Sequence, residues 1–302
     1  MKAVLAIPLL FAACADDADP VVSGAHHRYV VDRITLPTIN AESRELGIDL
    51  NGDATPDNQL GMVIAALTSQ GFAFQPALDR AVATGSTLVL VDIQTPDLHR
   101  TEVAAIELLL GASPSPSPCA TPDDPVCGHH LDGSGTFAIT GDRHEPLVGS
   151  IVDDVMHAGP GDTTIQLALG GTGVATIELA HARVRVESID EAGVARLVVG
   201  GAVTPATVAE QMIPLFQQAI NEQVARDCSP AAAPPGCGCP SGTGAGAMLG
   251  LFDDSPRDCA ISLEEVRDNA GTQSLTSADV FLGDNGGLVS IGVGMTAVPA
   301  TF

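Results

Sequence analysis

Tryptophan is absent, tyrosine occurs once, and aromatic residues make up 3% of the 302-residue chain. A carbohydrate-binding platform of stacked rings is therefore not available to it. Lysine is nearly missing as well: Lys2 is alone, and the other 12 of the 13 basic residues are arginines. Against them stand 37 acids, for a formal net charge of −24. Such a balance repels nucleic-acid phosphates and anionic lipid surfaces, and it suits a protein that works with divalent cations. After the leader, no stretch approaches the ~20 apolar residues of a membrane span. Catalytic signatures are lacking too. The GLVSIG segment at 287–292 has the wrong spacing for a nucleophile elbow, and His144-Glu145 is followed by Pro146 with no second histidine in register. Gly171-Thr172-Gly173 and Gly242-Thr243-Gly244 read as turn and linker, because phosphate loops need a strand before and a helix after.

What is present begins with an export signal. MKAVLAIPLLFAACADD is a basic start, a compact apolar run and small residues before a cysteine. Leu10 to Cys14 matches a bacterial lipobox apart from the bulky Phe11. Residues 1–13 are then a lipoprotein signal peptide and Cys14 the acylated, membrane-tethered N-terminus, the alternative being an ordinary signal peptide cut nearby. Of seven cysteines, setting Cys14 aside leaves six: Cys119, Cys127, Cys228, Cys237, Cys239 and Cys259. An even count in an exported chain points to disulfides. Cys119–Cys127 closes a Pro/Asp-rich loop, and the last four pair among themselves, with Cys237 or Cys239 reaching Cys259. If those thiols were reduced, Cys119, Cys127, His129 and His130 would suit zinc or copper instead.

The predicted fold is α+β: an antiparallel, β-rich sheet or sandwich flanked by N-terminal and C-terminal helices. Residues 14–34 read as a tether, and residues 35–227 as a β-rich domain with a closing helix. Residues 228–247 read as a Cys/Gly/Pro-rich linker, and 248–302 as an EF-hand-like segment with final strands. Alternation through Ile177, Leu179 and 181–187 marks antiparallel sheet with one wetter face. Thr204-Pro205 opens the clearest helix, with Val208, Met212, Phe216, Ile220 and Val224 as its stripe.

Two loops carry the functional signal. DLNGDATPDNQL places Asp49, Asn51, Asp53 and Asp57 at positions one, three, five and nine of an EF-hand-like loop, with the Thr55 carbonyl at seven. Calcium takes six to eight oxygens, and this spacing aims several at one point. Two departures stand out. Position six is Ala54 where the sharp turn favours Gly, and position twelve is Leu60 where a bidentate Glu is expected; water, Glu45 or an acid from elsewhere would have to replace it. The second loop, in FDDSPRDCAISLEEV, places Asp254, Asp258, Ser262 and Glu265 at one, five, nine and twelve. Pro256 and Cys259 fit poorly there, and Phe252-Asp253 suggests a start one residue earlier with an insertion.

The first loop with its DNQLG continuation, the PSPSPC stretch, LVVGGAV before a helix, and DCAISLEEVRDNA together resemble uncharacterised acidic secreted lipoproteins of the myxobacterial kind. That resemblance implies calcium-type loops on a β-rich body and no particular chemistry. The sequence thus leads to an exported, lipid-anchored cell-envelope protein with bound Ca2+ in a structural or ligand-binding role. The alternatives are a hydrolase or metal-dependent enzyme assembled from scattered residues, and a calcium-dependent adhesin.

Overall fold

The computed structural model describes residues 21–119, 127–170, 173–229, 232–234, 236–240, 243–254, 256–283 and 286–302. The leader and Cys14 lie outside the described residues. Ten strands form one antiparallel sheet: β1 Ala25–Thr35, β2 Val89–Thr95, β3 Thr101–Ser115, β4 Thr136–Thr140, β5 Leu147–Val152, β6 Val155–Gly170, β7 Gly173–Asp190, β8 Gly193–Val203, β9 Val280–Phe281 and β10 Gly287–Pro299. The path runs β1-β2-β3-β5-β6-β7-β8-β10, and β10 pairs back onto β1, so eight strands close on themselves. β4 extends β3, and β9 extends β10.

A closed barrel of eight strands is just wide enough for side chains to fill it. Alternation supplies them. Val89, Val91 and Ile93 of β2, Ile106 and Leu108 of β3, Val184 and Val186 of β7, and Ile291 and Val293 of β10 belong to one continuous buried cluster. On β1 the inward set is Tyr29, Val31 and then Ile34, because a bulge between Val31 and Arg33 shifts the phase. The opposite face of the wall is apolar in two patches that other segments cover. Val30, Leu90 and Leu109 lie with Phe137 of β4, and Ala202 and Leu288 lie with Leu50 and Val280.

Helices gather at the barrel end where β1 and β6 finish. α3 (Phe74–Ala83) is tied there by Gln75, which accepts from the Leu36 N–H at 2.9 Å and donates to the Ile34 carbonyl at 2.7 Å. Thr204 caps the short α4 (Pro205–Thr207), a π-helical turn follows at Val208–Met212, and α5 (Ile213–Asp227) lays Ala219 against Gly170. α1 (Asn40–Glu45), α2 (Gln59–Ser69), α6 (Gly244–Phe252), α7 (Leu263–Asp268) and α8 (Ala270–Leu275) complete the set. Leu60 and Ile64 of α2, Phe74 and Leu78 of α3, and Phe216 and Ile220 of α5 join the interior cluster.

Three expectations about organisation are corrected. The tether of 14–34 is strand from Ala25 onward, because Tyr29 and Val31 are needed inside and β1 is the closing neighbour of β10. The segment 248–302 is not a separate piece, since its last strand completes the ring between β8 and β1. The linker ends earlier than expected, since Gly244 already starts α6, with the Thr243 side chain accepting from the Gly246 N–H. The disulfides are Cys119–Cys127, Cys228–Cys239 and Cys237–Cys259, with Cα–Cα separations of 4.7, 4.0 and 5.4 Å.

Candidate functional site

The Asp49 loop lies across the barrel wall. Ile48 and Leu50 alternate with the polar residues, and both pack on the patch formed by Ala202, Val280 and Leu288. Gly200 of β8 leaves room for this approach, because a Cβ there would stand 3.0 Å from the Ile48 Cβ. The ends of the loop meet in a bridge, with the Asp57 N–H donating to the Ile48 carbonyl at 3.1 Å.

Between those ends each predicted ligand organises the turn. The Asp49 carboxylate accepts from the Gly52 and Ala54 N–H groups at 2.6 and 2.8 Å. Asn51 accepts from the Asp53 N–H at 2.9 Å, Asp53 from the Thr55 N–H at 2.8 Å, and Asp57 from the Leu50 N–H at 2.8 Å. Ala54 takes the left-handed conformation at φ 66°, so the turn expected of Gly is made by a residue with a Cβ. Asp49 is subject to some desolvation, yet the amides of Ala54, Gly52 and Asp53 and the Arg183 charge hold its carboxyl below the usual range. Asp57 is pushed the other way, by desolvation and then by the neighbouring charges of Asp279, Asp53 and Asp49.

Among the neighbouring charges that raise Asp57, that of Asp279 comes from outside the loop. Asp279 precedes β9 and accepts from the Ser290 N–H at 2.8 Å and from the Ser290 hydroxyl, which in turn accepts from the Gln59 N–H at 2.8 Å. Leu60 at position twelve is fully buried in the interior cluster, and Glu45 is exposed. Immediately before Leu60 sits a second residue that the motif did not flag. Asn58 is 4% exposed and accepts from the Gly61 and Gly292 N–H groups at 2.9 and 2.8 Å. It also donates to the Ser43 and Gly292 carbonyls at 2.9 and 3.1 Å. One side chain thus caps α2 and fastens α1 and the loop exit to β10.

The second loop starts one residue earlier than its best spacing suggests. Asp253, 3% exposed, accepts from the Asp258 and Cys259 N–H groups, each at 3.1 Å, as Asp49 does for its own loop. Cys259 matches Ala54 in backbone, also at φ 66°. Asp254 contributes its N–H, donated to Glu265 at 2.8 Å, and its side chain is exposed. Asp258 accepts from the Ala260 N–H at 3.0 Å. Ser262 and Glu265 form a reciprocal capping box at the start of α7, so their oxygens serve the helix end. Desolvation works against the Glu265 charge, but the Ser262 and Asp254 amides keep its carboxyl below the usual value. Ile261, at position eight, bonds to Asn221 and Gln217 of α5, so the two loops do not pair with one another. Cys237, Asp253 and Cys259 stand close enough to share an ion. The two sulfurs are joined to each other, which removes the thiolates such a site would use.

Three histidines with carboxylate partners collect at the barrel end where β1 begins and β7 finishes. His26 pairs with Asp92 at 3.0 Å, His27 with Glu191 at 3.2 Å and His99 with Asp154 at 2.6 Å. His27 and His99 line one 310 Å³ cleft with Asp97, Asp190 and Glu191. The Asp154 contact raises the His99 pKa. His130, by contrast, is fully buried and edge-on to Phe137 at 6.4 Å, and burial lowers its pKa against the smaller opposing influence of the Val82 backbone. No protein-family profile, curated protein or solved structure matches this chain.

Proposed function

We propose that this is an exported, lipid-anchored envelope protein whose Asp49 loop binds calcium in a structural role. The observation that supports the reading is the turn in which Asp49, Asn51, Asp53 and Asp57 stand together, with the Asp57 carboxyl held above its ordinary range by desolvation first and then by the charges of Asp279, Asp53 and Asp49. Like charges that raise a carboxyl in this way repel it, and a divalent cation reverses the sign of the interaction. Asp49, Asn51, Asp53, Asp57 and the Thr55 carbonyl would hold the ion, with Asp279 in place of the missing position-twelve acid. The loop lies on the barrel wall beside β9, so the ion would clasp the α1–α2 connection to the body rather than open and close a helix pair. Anchoring through Cys14 is supported by the leader, and export is supported by the three disulfides.

Thermal melts of the mature protein in calcium and in chelator test the clasp. Calcium at ~100-fold above its Kd adds about 2.7 kcal/mol to the folded state. Asp57→Asn is the discriminating variant. It relieves the repulsion, so in chelator it should melt at or above the parent temperature, and its calcium response should vanish. A parent melt that ignores calcium would sink the reading, and so would an Asp57→Asn protein that still responds fully. For the anchor, Cys14→Ser should abolish lipid labelling.

The His27/His99 cleft favours a second reading, a metal-dependent enzyme, because it gathers histidines and acids outside both loops. Each histidine already has a carboxylate on Nδ1, the arrangement that orients Nε2 toward a metal. Zinc retained by the parent through dialysis and lost from a His27→Ala/His99→Ala protein would support that reading.

A further inference from the structure

A second cleft, of 320 Å³, runs between the Asp49 loop and the outer face of β6 and β7. Its floor follows from strand alternation. Val184 and Val186 point into the barrel, so Arg183 and Arg185 point out, and His157 of β6 is the cross-strand neighbour of Arg185. Ile48, Asp49 and Pro56 form the opposite wall. In a chain with 13 basic residues and a net charge of −24, two arginines and a histidine facing one cleft is a local reversal of sign.

The Nε of each arginine is buried without a hydrogen bond, but the rest of the two side chains differs. Arg185 is held by an ion pair, its Nε 3.0 Å from Glu187, and by its Nη2 donating to the Glu45 carbonyl at 3.2 Å. Arg183 has no hydrogen bond or ion pair with any described residue, and its Nε is shut off from solvent without an acceptor. Asp49 acts on it only through space, because the oxygens of Asp49 already serve the Gly52 and Ala54 amides. A guanidinium partly withdrawn from water with no acceptor is costly, and its planar fork fits the two oxygens of a carboxylate or phosphate.

We infer that this cleft is an anion-binding site in which Arg183 receives the carboxylate or phosphate group of a small molecule, while Arg185 and His157 line the floor around it. The inference does not depend on calcium. A cation on Asp49 would strengthen anion binding by cancelling the carboxylate field, so the test begins in chelator, where the calcium reading plays no part.

Titration calorimetry of the mature protein at low ionic strength, with inorganic phosphate and with succinate as probes, reads the site directly. One-to-one saturable binding of either anion is expected. Arg183→Gln should weaken it at least tenfold. Arg196→Gln, which removes a guanidinium paired 3.5 Å from Glu187 and absent from the cleft lining, should change it less than twofold. In the unmutated protein the Arg183 Nε–H resonance should shift with phosphate, a readout that survives even if the variant folds poorly. Phosphatidylglycerol vesicles that displace phosphate would make the natural anion a lipid headgroup, and vesicles without effect would make it a free solute; both uphold the site. No saturable binding of either probe, equal weakening by both substitutions, or a resonance that phosphate leaves in place would each overturn it.

Discussion

Removing the Asn58 side chain should damage this protein more than any acid in the neighbouring loop. Asn58→Ala deletes four hydrogen bonds at once and leaves the Gly61 and Gly292 N–H groups and the Ser43 and Gly292 carbonyls without partners. A buried polar group left unpaired costs about 1–3 kcal/mol, and loss of an N-cap alone costs about 0.5–2 kcal/mol. Water entering the vacated space recovers part of that, so a net loss of about 3–5 kcal/mol is expected, a large share of the roughly 5–15 kcal/mol that holds a domain together. At about 2–3 °C per kcal/mol for a chain of this size, the melting temperature should fall by about 6–15 °C. Urea denaturation at neutral pH measures the same loss. A companion, Asn58→Asp, keeps both accepted bonds but turns a carboxylate toward two carbonyl oxygens. Its deficit should shrink in acid, where the protonated oxygen donates again. A change below about 1 kcal/mol for Asn58→Ala would refute the claim that this side chain joins α1, α2 and β10.

Three further outcomes follow from particular residues. Ala54→Gly relieves a left-handed backbone at φ 66° and should raise stability by about 1 kcal/mol, read as a shift in the urea midpoint. Replacing Cys237 and Cys259 by Ser opens a loop with a sequence separation of 22 and should cost about 3 kcal/mol on the chain-entropy account, measured against the parent under the same non-reducing conditions. Burial lowers the His130 pKa, so the unfolded chain takes up the proton more readily than the folded one. The stability tied to His130 is therefore complete above the ordinary histidine range and is lost as pH falls below it. His130→Phe should flatten the acid side of a melting-temperature profile between pH 7 and 5; an unchanged slope would refute this.

Much of the secondary structure was legible because period-two alternation in β7 and the Thr204-Pro205 start of the helical stretch are local signals. Ring closure was not. β1 opens with two histidines and an arginine, and both Val30 and Val31 are buried because its two faces each meet apolar neighbours. That pattern blurs alternation and hides a core strand in what reads as a polar tether. The partner that defines β1 is remote as well: the Thr296 hydroxyl reaches Asp32 across 264 residues. In the loop, the turn organised by Asp49, Asn51, Asp53 and Asp57 was readable from spacing alone. The influence of Asp279 on Asp57 was not, since nothing around Asp279 marks an acid whose charge reaches a residue more than 200 positions earlier. Asn58 looked like a continuation of the motif, and its worth lies in a contact with Gly292 that only the folded sheet creates. The paired histidines come from β1 and the β2–β3 turn, and their carboxylates from β2, the β5–β6 turn and the β7–β8 turn, segments with no common motif.

Closure by the first and last strands also bears on how the chain assembles. β1 can pair with β2 as soon as both exist, but its other edge stays unpaired until residues 287–299 arrive. As the chain emerges in order from its N-terminal end, that edge and the outer edge of β8 would both be exposed, each a template for another chain. The final ring-forming step joins the most distant parts of the sequence and must overcome the largest loop-closure entropy, which makes it the natural bottleneck. A truncation before β10 therefore removes more than one strand: it leaves two open edges on an otherwise complete wall, and self-association is the expected fate of that fragment.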